Sequence, residues 1–250
     1  MSVVQRIKNG FARAIVPNPP GVRGDFSLIF YDDHGAPTDQ LFDVALAAIQ
    51  HARTEDLSEI AARMPAGERW PDIWPGEHYK LLAGLVHVLK PAIVIEIGTY
   101  QGLSALTLAK RLPAGSTLHT FDIMPYSKIP GCVFRESDFD GRIKTVVADL
   151  TAAGVFDTHR ALFESADLIF VDAAKDGVME QTFLDRFETV RFRKPPLVVF
   201  DDIRVWNMLK IWRGVRRPKL DLTSFGHWSG TGIIDWVEGG PMNARPAGSR

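Results

Sequence analysis

The sequence has little cysteine and no long apolar run. One cysteine, Cys132, occurs in 250 residues, so the chain can form no internal disulfide and no cysteine-rich zinc site. No apolar stretch approaches the roughly 20 residues needed to cross a bilayer. Residues 1–21 are too interrupted by polar side chains to resemble a secretory signal. We therefore expect a cytoplasmic protein with no membrane partner.

An excess of charge of either sign is also missing. The formal net charge is -1, so no global field attracts the chain to nucleic acid. The densest basic segment, residues 210–219, is typical of a solvated helix end. We expect no nucleic-acid partner. A hydrophobic fraction of 46% and this length favour one sizeable α/β domain, alone or with an added lid.

The pattern of apolar residues changes at Pro91. Before it, residues 38–53 and 76–90 have the spacing of amphipathic helices, the first capped by Thr38 or Asp39. After it, short apolar strands alternate with helices, which predicts a mostly parallel sheet covered on both faces. We divide the chain into an N-terminal helical lid or extension (1–76), the main domain (77–238) and a flexible tail (239–250).

A glycine-containing turn follows the first strand of that sheet, in the stretch VIEIGTYQG at residues 94–102. Glycine allows the main chain to approach a ligand closely at the carboxyl end of a parallel strand. The dinucleotide fingerprint G-x-G-x-x-G is absent, and Glu96 would repel a pyrophosphate. An acid at this place suits a ligand that carries positive charge, such as a sulfonium or an amino group.

Acidic residues also end the next two strands. Asp122 ends the second strand, where a carboxylate can accept hydrogen bonds from ribose hydroxyls. Asp149 ends the third strand, where it could bind the exocyclic amine of a purine. An alternative is that these acids only cap the helices that follow. Together with the glycine turn, they favour a nucleoside site.

These motifs, with DLIFVDAAKD at residues 167–176, resemble the class I S-adenosylmethionine-dependent methyltransferases, and more narrowly the O-methyltransferases of the catechol and caffeoyl-CoA type and their bacterial relatives. The resemblance covers roughly residues 77–238. It implies a Rossmann-like seven-stranded sheet with helices on both faces and an antiparallel last strand. It also implies cofactor contacts at the sheet edge, by Glu96, Gly98, Thr99, Tyr100, Ser104, Asp122, Asp149, Leu150 and Asp172.

A second group of acids follows the fourth and fifth strands. Asp172 precedes Lys175 by three residues, and Asp201 and Asp202 end the fifth strand. Three carboxylates brought together favour a hard divalent ion such as Mg²⁺. We predict Asp172, Asp201 and Asp202 as its ligands, and Asp172 and Lys175 as catalytic residues, with Lys175 as the base whose pKa the metal lowers. The resembled families have Asp-Asn where this chain has Asp201-Asp202, a departure that adds one negative charge to the predicted metal site.

Alternatives stay open for these residues. Asp202 could cap the following helix, Lys175 could pair with Asp176 or Glu180, and Asp172 could orient the cofactor without a metal. His78 and His227 are further candidates for contact with cofactor or substrate, and the connector at residues 124–142 for bordering the substrate.

The sequence thus predicts transfer of a methyl group from S-adenosylmethionine to a hydroxyl of a small molecule, assisted by Mg²⁺. A metal-independent methyltransferase with another nucleophile and a non-catalytic nucleoside-binding protein are the alternatives. Whether two copies form a homodimer is left open.

Overall fold

The computed structural model describes residues 35–66, 71 and 78–237. The predicted tail, 239–250, and residues 1–34 of the predicted lid lie outside the described residues. The strands of the described chain are β1 (Ile93–Ile97), β2 (Thr117–Asp122), β3 (Ile143–Val147), β4 (Leu168–Val171), β5 (Leu197–Asp201), β6 (Lys219–Asp221) and β7 (Thr231–Asp235).

Helices alternate with these strands along the chain. Three come before the sheet or at its start: α1 (Asp39–Ala52), α2 (Ser58–Ala61) and α3 (His78–Leu89). Those after β1 are α4 (Leu103–Lys110), α5 (Val155–Thr158), α6 (Arg160–Phe163), α7 (Met179–Glu188) and α8 (Met208–Gly214). Two short 3₁₀ helices, Tyr126–Lys128 and Glu136–Asp138, lie in the connector between β2 and β3.

The sheet has the order β3-β2-β1-β4-β5-β7-β6. Pairs among β1 to β5 are parallel, and β7 is antiparallel to both β5 and β6. The predicted fold class, a seven-stranded mostly parallel sheet with an antiparallel last strand, is confirmed. Strand order reverses between β1 and β4, and ligands of such sheets bind beyond the carboxyl ends of the strands at that point.

Apolar side chains cover both faces of the sheet. On one face, α1, α3 and α4 share a cluster with alternate residues of the strands, for example Val94, Phe170 and Ile233. On the other face, phenylalanines of α5, α6 and α7 pack against one another at tilted angles, and the ring centroids of Phe156 and Phe163 lie 4.5 Å apart. Parallel strands covered on both sides carry continuous apolar runs, as the sequence indicated.

The predicted lid segment, 1–76, contains α1, which packs into the same core as the sheet. Thr38 caps this helix, because its side chain accepts a 3.1 Å hydrogen bond from the backbone N–H of Leu41. The function of residues 1–76 as a lid stays a prediction.

Some local predictions differ from the structure. The helices α5 and α6 were not predicted, since each is only one turn long and carries too few residues to show a period. Strand β6 is short and spans only Lys219–Asp221, because the chain turns at Thr223–Phe225. In the described part of the chain, no helix has the length and apolar character to cross a membrane.

Gly84 sets the close approach of α3 to α1. A Cβ atom at this position would lie 2.4 Å from the carbonyl oxygen of Ala48. We expect Gly84→Ala to force the two helices apart and to reduce the free energy of unfolding by about 1–3 kcal/mol. Thermal and urea unfolding of the full chain, followed by circular dichroism, measure this loss.

Gly214→Ala is the matched control. Gly214 ends α8, and no atom of the described residues lies within 4 Å of its ideal Cβ. This change should leave stability equal or slightly higher, since alanine favours helix more than glycine does. Equal stability of the two variants would contradict the proposed role of Gly84.

Candidate active site

The turn after β1 has little room for side chains. Gly98 has φ 105°, and a Cβ there would lie 1.9 Å from the carbonyl oxygen of Asp172, at the end of β4. Gly102 has φ 88° and lies against the ring of Phe134. Both glycines are therefore required by backbone conformation and by close neighbours, and the turn lies directly on the adjacent strand.

A cavity of about 390 Å³ opens beside this turn, where the order of strands reverses. Its volume falls in the range of small-molecule sites. Seven of the residues singled out from the sequence line it: Gly98, Tyr100, Asp122, Asp149, Leu150, Asp172 and Lys175. Apolar side chains such as Met179 and Phe183 form much of the remaining wall.

Asp122 connects the second strand to the glycine turn. Its Oδ2 accepts a 2.9 Å hydrogen bond from the backbone N–H of Tyr100, and its Oδ1 accepts one of 3.0 Å from that of Met124. Tyr100 itself has φ 42°, an uncommon value for a residue other than glycine. Each carboxylate oxygen keeps a second lone pair. Asp122 can thus hold the turn and still accept a bond from a ligand.

Asp149 is exposed at the edge of the cavity. Hydrogen bonds from the hydroxyl and the backbone N–H of Thr151 lower its pKa. It therefore stays ionised at neutral pH and presents negative charge to the cavity. Leu150, the next residue, is buried and also lines the cavity.

Glu96, Thr99 and Ser104 are buried, and they are not among the described residues that line the cavity. Oε2 of Glu96 accepts a 2.5 Å hydrogen bond from Thr120, whose hydroxyl also contacts Thr99. Burial raises the pKa of Glu96 to about 8, more than the Ser104 and Thr120 hydroxyls lower it. In this structure Glu96 is mostly protonated at neutral pH, so its predicted contact with a positive ligand stays a prediction.

The acids after β4 and β5 meet around Lys175. Its ammonium group contacts Oδ1 of Asp172 and lies 3.1 Å from Oδ2 of Asp202. Burial alone would lower the pKa of Lys175, but these two carboxylates raise it above the ordinary value. Lys175 therefore holds its proton here, whereas the sequence analysis expected a metal to lower its pKa. It pairs with neither Asp176 nor Glu180 through its ammonium group in the described structure.

Asp202 does not cap the following helix, whose N-cap residue is Asn207. Its Oδ1 instead accepts a hydrogen bond from Ser229. Lys175 and Asp202 have positive φ values of 56° and 58°. Strained backbone of this kind persists where surrounding contacts fix it, often at functional sites.

Asp201 is buried to 7% exposure. Of its two oxygens, Oδ1 has no hydrogen-bond partner among the described residues. Burial raises the pKa of Asp201 well above the ordinary value, and the neighbouring carboxylates of Asp172 and Asp202 raise it further. An unpaired buried acid is costly in free energy, so this position is suited to a cation.

Two histidines lie beside Asp201. Nδ1 of His78 is 3.7 Å from Oδ1 of Asp201, and burial lowers the pKa of His78 to about 3, with His227 lowering it further. Nδ1 of His227 is 3.9 Å from the same oxygen. The potential ligand atoms of Asp201, Asp202 and His227 all lie within 4.8 Å of one another. This group differs from the predicted metal set, since His227 takes the place of Asp172.

His78 and His227 were candidates for contact with cofactor or substrate on sequence grounds, and their proximity to the acids was not predicted. The sequence did contain a signal for the position of His227 near the acids. An antiparallel last strand beside β5 brings the preceding loop to the carboxyl end of β5, and Thr231 indeed pairs with Asp201.

The sequence profile of the O-methyltransferase family matches residues 45–210. The chain therefore belongs to the O-methyltransferase family, as the resemblance in its motifs implied. It is 27% identical over 127 residues to catechol O-methyltransferase of Mus musculus, and this match covers 50% of the chain and 48% of the relative. The chain thus spans about half the length of that curated relative.

Solved structures agree in fold. An O-methyltransferase from Bacillus cereus in complex with SAH matches with a TM-score of 0.50 and 18% identity, over 80% of this chain and 92% of that one. Cofactor-bound Rv0187 from MTB matches with a TM-score of 0.50 and 19% identity, over 88% and 98%. At such identities the likeness shows the architecture alone.

The buried position of Glu96 predicts a dependence of stability on pH. Its folded pKa of about 8 lies above the value of 4.5 for an unburied group. The stability contributed by the protonated form is complete below about pH 4.5 and is lost as pH rises towards 8. The loss is up to about 1.4 kcal/mol per pH unit.

Glu96→Gln should remove this dependence, because an amide stays neutral at every pH. Urea unfolding of both proteins should show nearly equal stability at pH 5 and a growing advantage of the variant up to pH 8. Parallel stability curves over this range would show that Glu96 is already ionised in the folded protein.

Proposed function

We propose that this protein transfers the methyl group of S-adenosylmethionine to a hydroxyl of a small molecule, assisted by a divalent cation and with Lys175 as the base. The observation that carries the proposal is the cavity at the reversal of strand order. Gly98, Asp122, Asp149, Asp172 and Lys175 all line this one cavity.

The residues of the cavity suit S-adenosylmethionine. Asp122 offers lone pairs to ribose hydroxyls, and the ionised Asp149 offers an acceptor to an exocyclic amine. The wall formed by Leu150, Met179 and Phe183 suits the flat apolar face of a purine. Acids without a nearby phosphate-binding motif favour a cofactor with positive charge over a pyrophosphate.

Asp201, Asp202 and His227 would hold the cation, with Asp172 as the further ligand predicted from the sequence and Mg²⁺ as the predicted ion. A bound divalent ion stabilises the ionised form of an acceptor hydroxyl and orients it. This help is needed because a phenol of pKa about 10 is ionised in roughly one molecule per thousand at neutral pH, a cost of about 4 kcal/mol.

Lys175 lines the cavity and lies next to Asp202 of the proposed metal site. Asp172 and Asp202 hold its ammonium nitrogen in place. A lysine so placed would take the proton of an acceptor hydroxyl after releasing its own proton to water, and a cation bound by the neighbouring carboxylates would favour that release by lowering the pKa of the lysine. The fixed position is a contribution to catalysis, since it orients the base relative to the acceptor.

The acceptor is proposed to be an apolar or aromatic hydroxyl compound. Trp206 and Trp228 are exposed beside the acid cluster, with exposures of 76% and 56%. Trp206 follows Asp202 by four residues, and Trp228 adjoins His227. Aromatic rings that stay exposed next to a charged site are suited to stacking on a planar acceptor. Methylation of a catechol used as a probe tests this directly.

One observation favours a metal-independent methyltransferase instead. Lys175 already neutralises part of the negative charge of Asp172 and Asp202. In that case EDTA would leave methyl transfer to a catechol or another nucleophile unchanged, whereas the metal-assisted reaction would stop.

The cofactor proposal predicts tight binding of S-adenosylhomocysteine. Asp122→Ala should weaken this binding at least tenfold, because the variant loses both the acceptor for ribose and the bond that holds the backbone of Tyr100. Isothermal titration calorimetry measures the affinity, with NAD as the comparison ligand. Asp140→Ala is the control, since Asp140 is exposed and bonds to Arg142, away from the cavity. Binding of NAD in preference to S-adenosylhomocysteine would end the proposal.

The metal proposal predicts a separation between turnover and cofactor affinity. Asp201→Asn should reduce methyl transfer to a catechol by at least a hundredfold, because one charged ligand is lost. Affinity for S-adenosylhomocysteine should change less than threefold, since Asp201 does not belong to the described lining of the cavity. A variant that methylates at the wild-type rate would rule out a cation held by Asp201.

A further inference from the structure

His227 is held beside the two acids that end β5. Strand β7 runs antiparallel to β5, so the loop 226–230 that precedes β7 lies at the carboxyl end of β5. This brings Nδ1 of His227 to 3.9 Å from Oδ1 of Asp201 and to 3.6 Å from Oδ1 of Asp202. The imidazole is only 13% exposed. One ring nitrogen of His227 thus faces two carboxylate oxygens, and the ring is largely shielded from solvent.

The second observation is the unsatisfied oxygen of Asp201. Its side chain is 8% exposed, and Oδ1 lacks a hydrogen-bond partner within the described ranges. Nδ1 of His227 lies 3.9 Å from Oδ1 of Asp201. This distance is too long for a hydrogen bond, but it suits two ligands of one cation. Burying this oxygen without a partner would cost free energy, and a cation between it and the histidine would remove that cost.

The distances fit a divalent ion. Ligands at about 2.1 Å from one ion lie about 3 Å apart when adjacent and about 4.2 Å apart when opposite. The observed separations of 3.9 Å and 3.6 Å fall between these limits. Small rotations of the side chains would therefore complete the coordination.

We propose that Asp201, Asp202 and His227 together bind a divalent transition ion of the Mn²⁺, Fe²⁺ or Co²⁺ class in preference to Mg²⁺. This rests on the proposed function, because it assigns the ion of the same site. Mg²⁺ takes oxygen ligands and keeps several waters, whereas an imidazole nitrogen suits transition ions. Lys175 contacts both Asp172 and Asp202, but Oδ1 of Asp202 still faces His227, so the histidine supplies the third donor from the protein.

Ser229 allows a competing explanation. Its hydroxyl contacts both Nδ1 of His227 and Oδ1 of Asp202. If His227 served only to fix this hydroxyl, then removing either His227 or Ser229 would affect metal binding equally. A ligand role predicts that the histidine matters far more than the serine.

The test is calorimetric titration of the metal-free full chain with Mn²⁺, Co²⁺ and Mg²⁺. We expect Mn²⁺ and Co²⁺ to bind wild-type protein at least about tenfold more tightly than Mg²⁺. His227→Gln should weaken Mn²⁺ and Co²⁺ at least about tenfold, because losing a ligand costs no less than losing the outer partner of a ligand, and Mg²⁺ less than threefold. Ser229→Ala should weaken all three ions less than threefold.

A control is needed for adventitious binding by other histidines. The rings of His51 and His87 stack at 3.9 Å between centroids, so His87→Gln reports any metal held there and should leave the titration unchanged. Any one of three results would overturn the proposal. The wild type could bind Mg²⁺ and Mn²⁺ with equal affinity, His227→Gln and Ser229→Ala could lose equal affinity, or His87→Gln could lose metal binding.

A spectroscopic reading does not depend on the folding of a variant. Electron spin echo modulation of Mn²⁺-loaded wild-type protein should show a coupled nitrogen, and its absence would overturn the assignment of His227.

Titration with S-adenosylhomocysteine in EDTA is measured separately. If that cofactor product fails to bind while Mn²⁺ still prefers the site, then the proposed function fails and the metal site stands.

Discussion

The close contact between the main chain of Gly98 and the carbonyl of Asp172 is the constraint on which the site depends. It joins the ends of β1 and β4, which are neighbours at the reversal of strand order. A side chain at residue 98 would push these two strand ends apart. Because the contact is made by backbone alone, the space above it stays available as a cavity, with Asp122 bracing the turn from β2.

Charge is the second constraint, and it follows from the same geometry. Parallel strands that end at one edge bring their terminal side chains together, and here several of those side chains are acids. The chain reduces the repulsion between these acids in three ways. Glu96 holds a proton near neutral pH, Lys175 lies between Asp172 and Asp202, and Asp149 faces solvent. Burial also raises the pKa of Asp201, and its Oδ1 has no hydrogen-bond partner among the described residues, which is why it is the position most suited to a cation.

The elements around the cavity could be predicted because their signals are local. The apolar run at residues 93–97, the two glycines that follow it and Asp122 lie within one stretch of sequence, and each has a direct structural reason. The depth of Glu96 could not be predicted in this way. Alternation along a strand predicts which residues share a face of the sheet. It does not predict which face a helix will cover, or that Thr120 of the neighbouring strand will donate a hydrogen bond to Glu96, because both depend on tertiary packing.

The contacts of His227 and Lys175 depend on more distant parts of the chain. His227 lies 26 residues after Asp201 in the sequence, and it reaches the acids only through the register of β7 on β5. The partners of Lys175 depend on how β4 and β5 align, since Asp202 lies on a different strand end from Asp172. The contacts of His227 and of Lys175 can therefore be predicted only once the order and register of the strands are known.

The second aspartate of the Asp201-Asp202 pair connects these points. The resembled families have an asparagine at the second position, which would add no charge. With aspartate there, Oδ2 attracts the ammonium of Lys175, while Oδ1 receives Ser229 and faces His227. The extra charge and the histidine are best understood together, because an imidazole donor and an additional carboxylate both raise the affinity of a small site for a divalent transition ion. In the metal site that we propose, the departure from the family pattern changes the donor set and keeps a place for a cation.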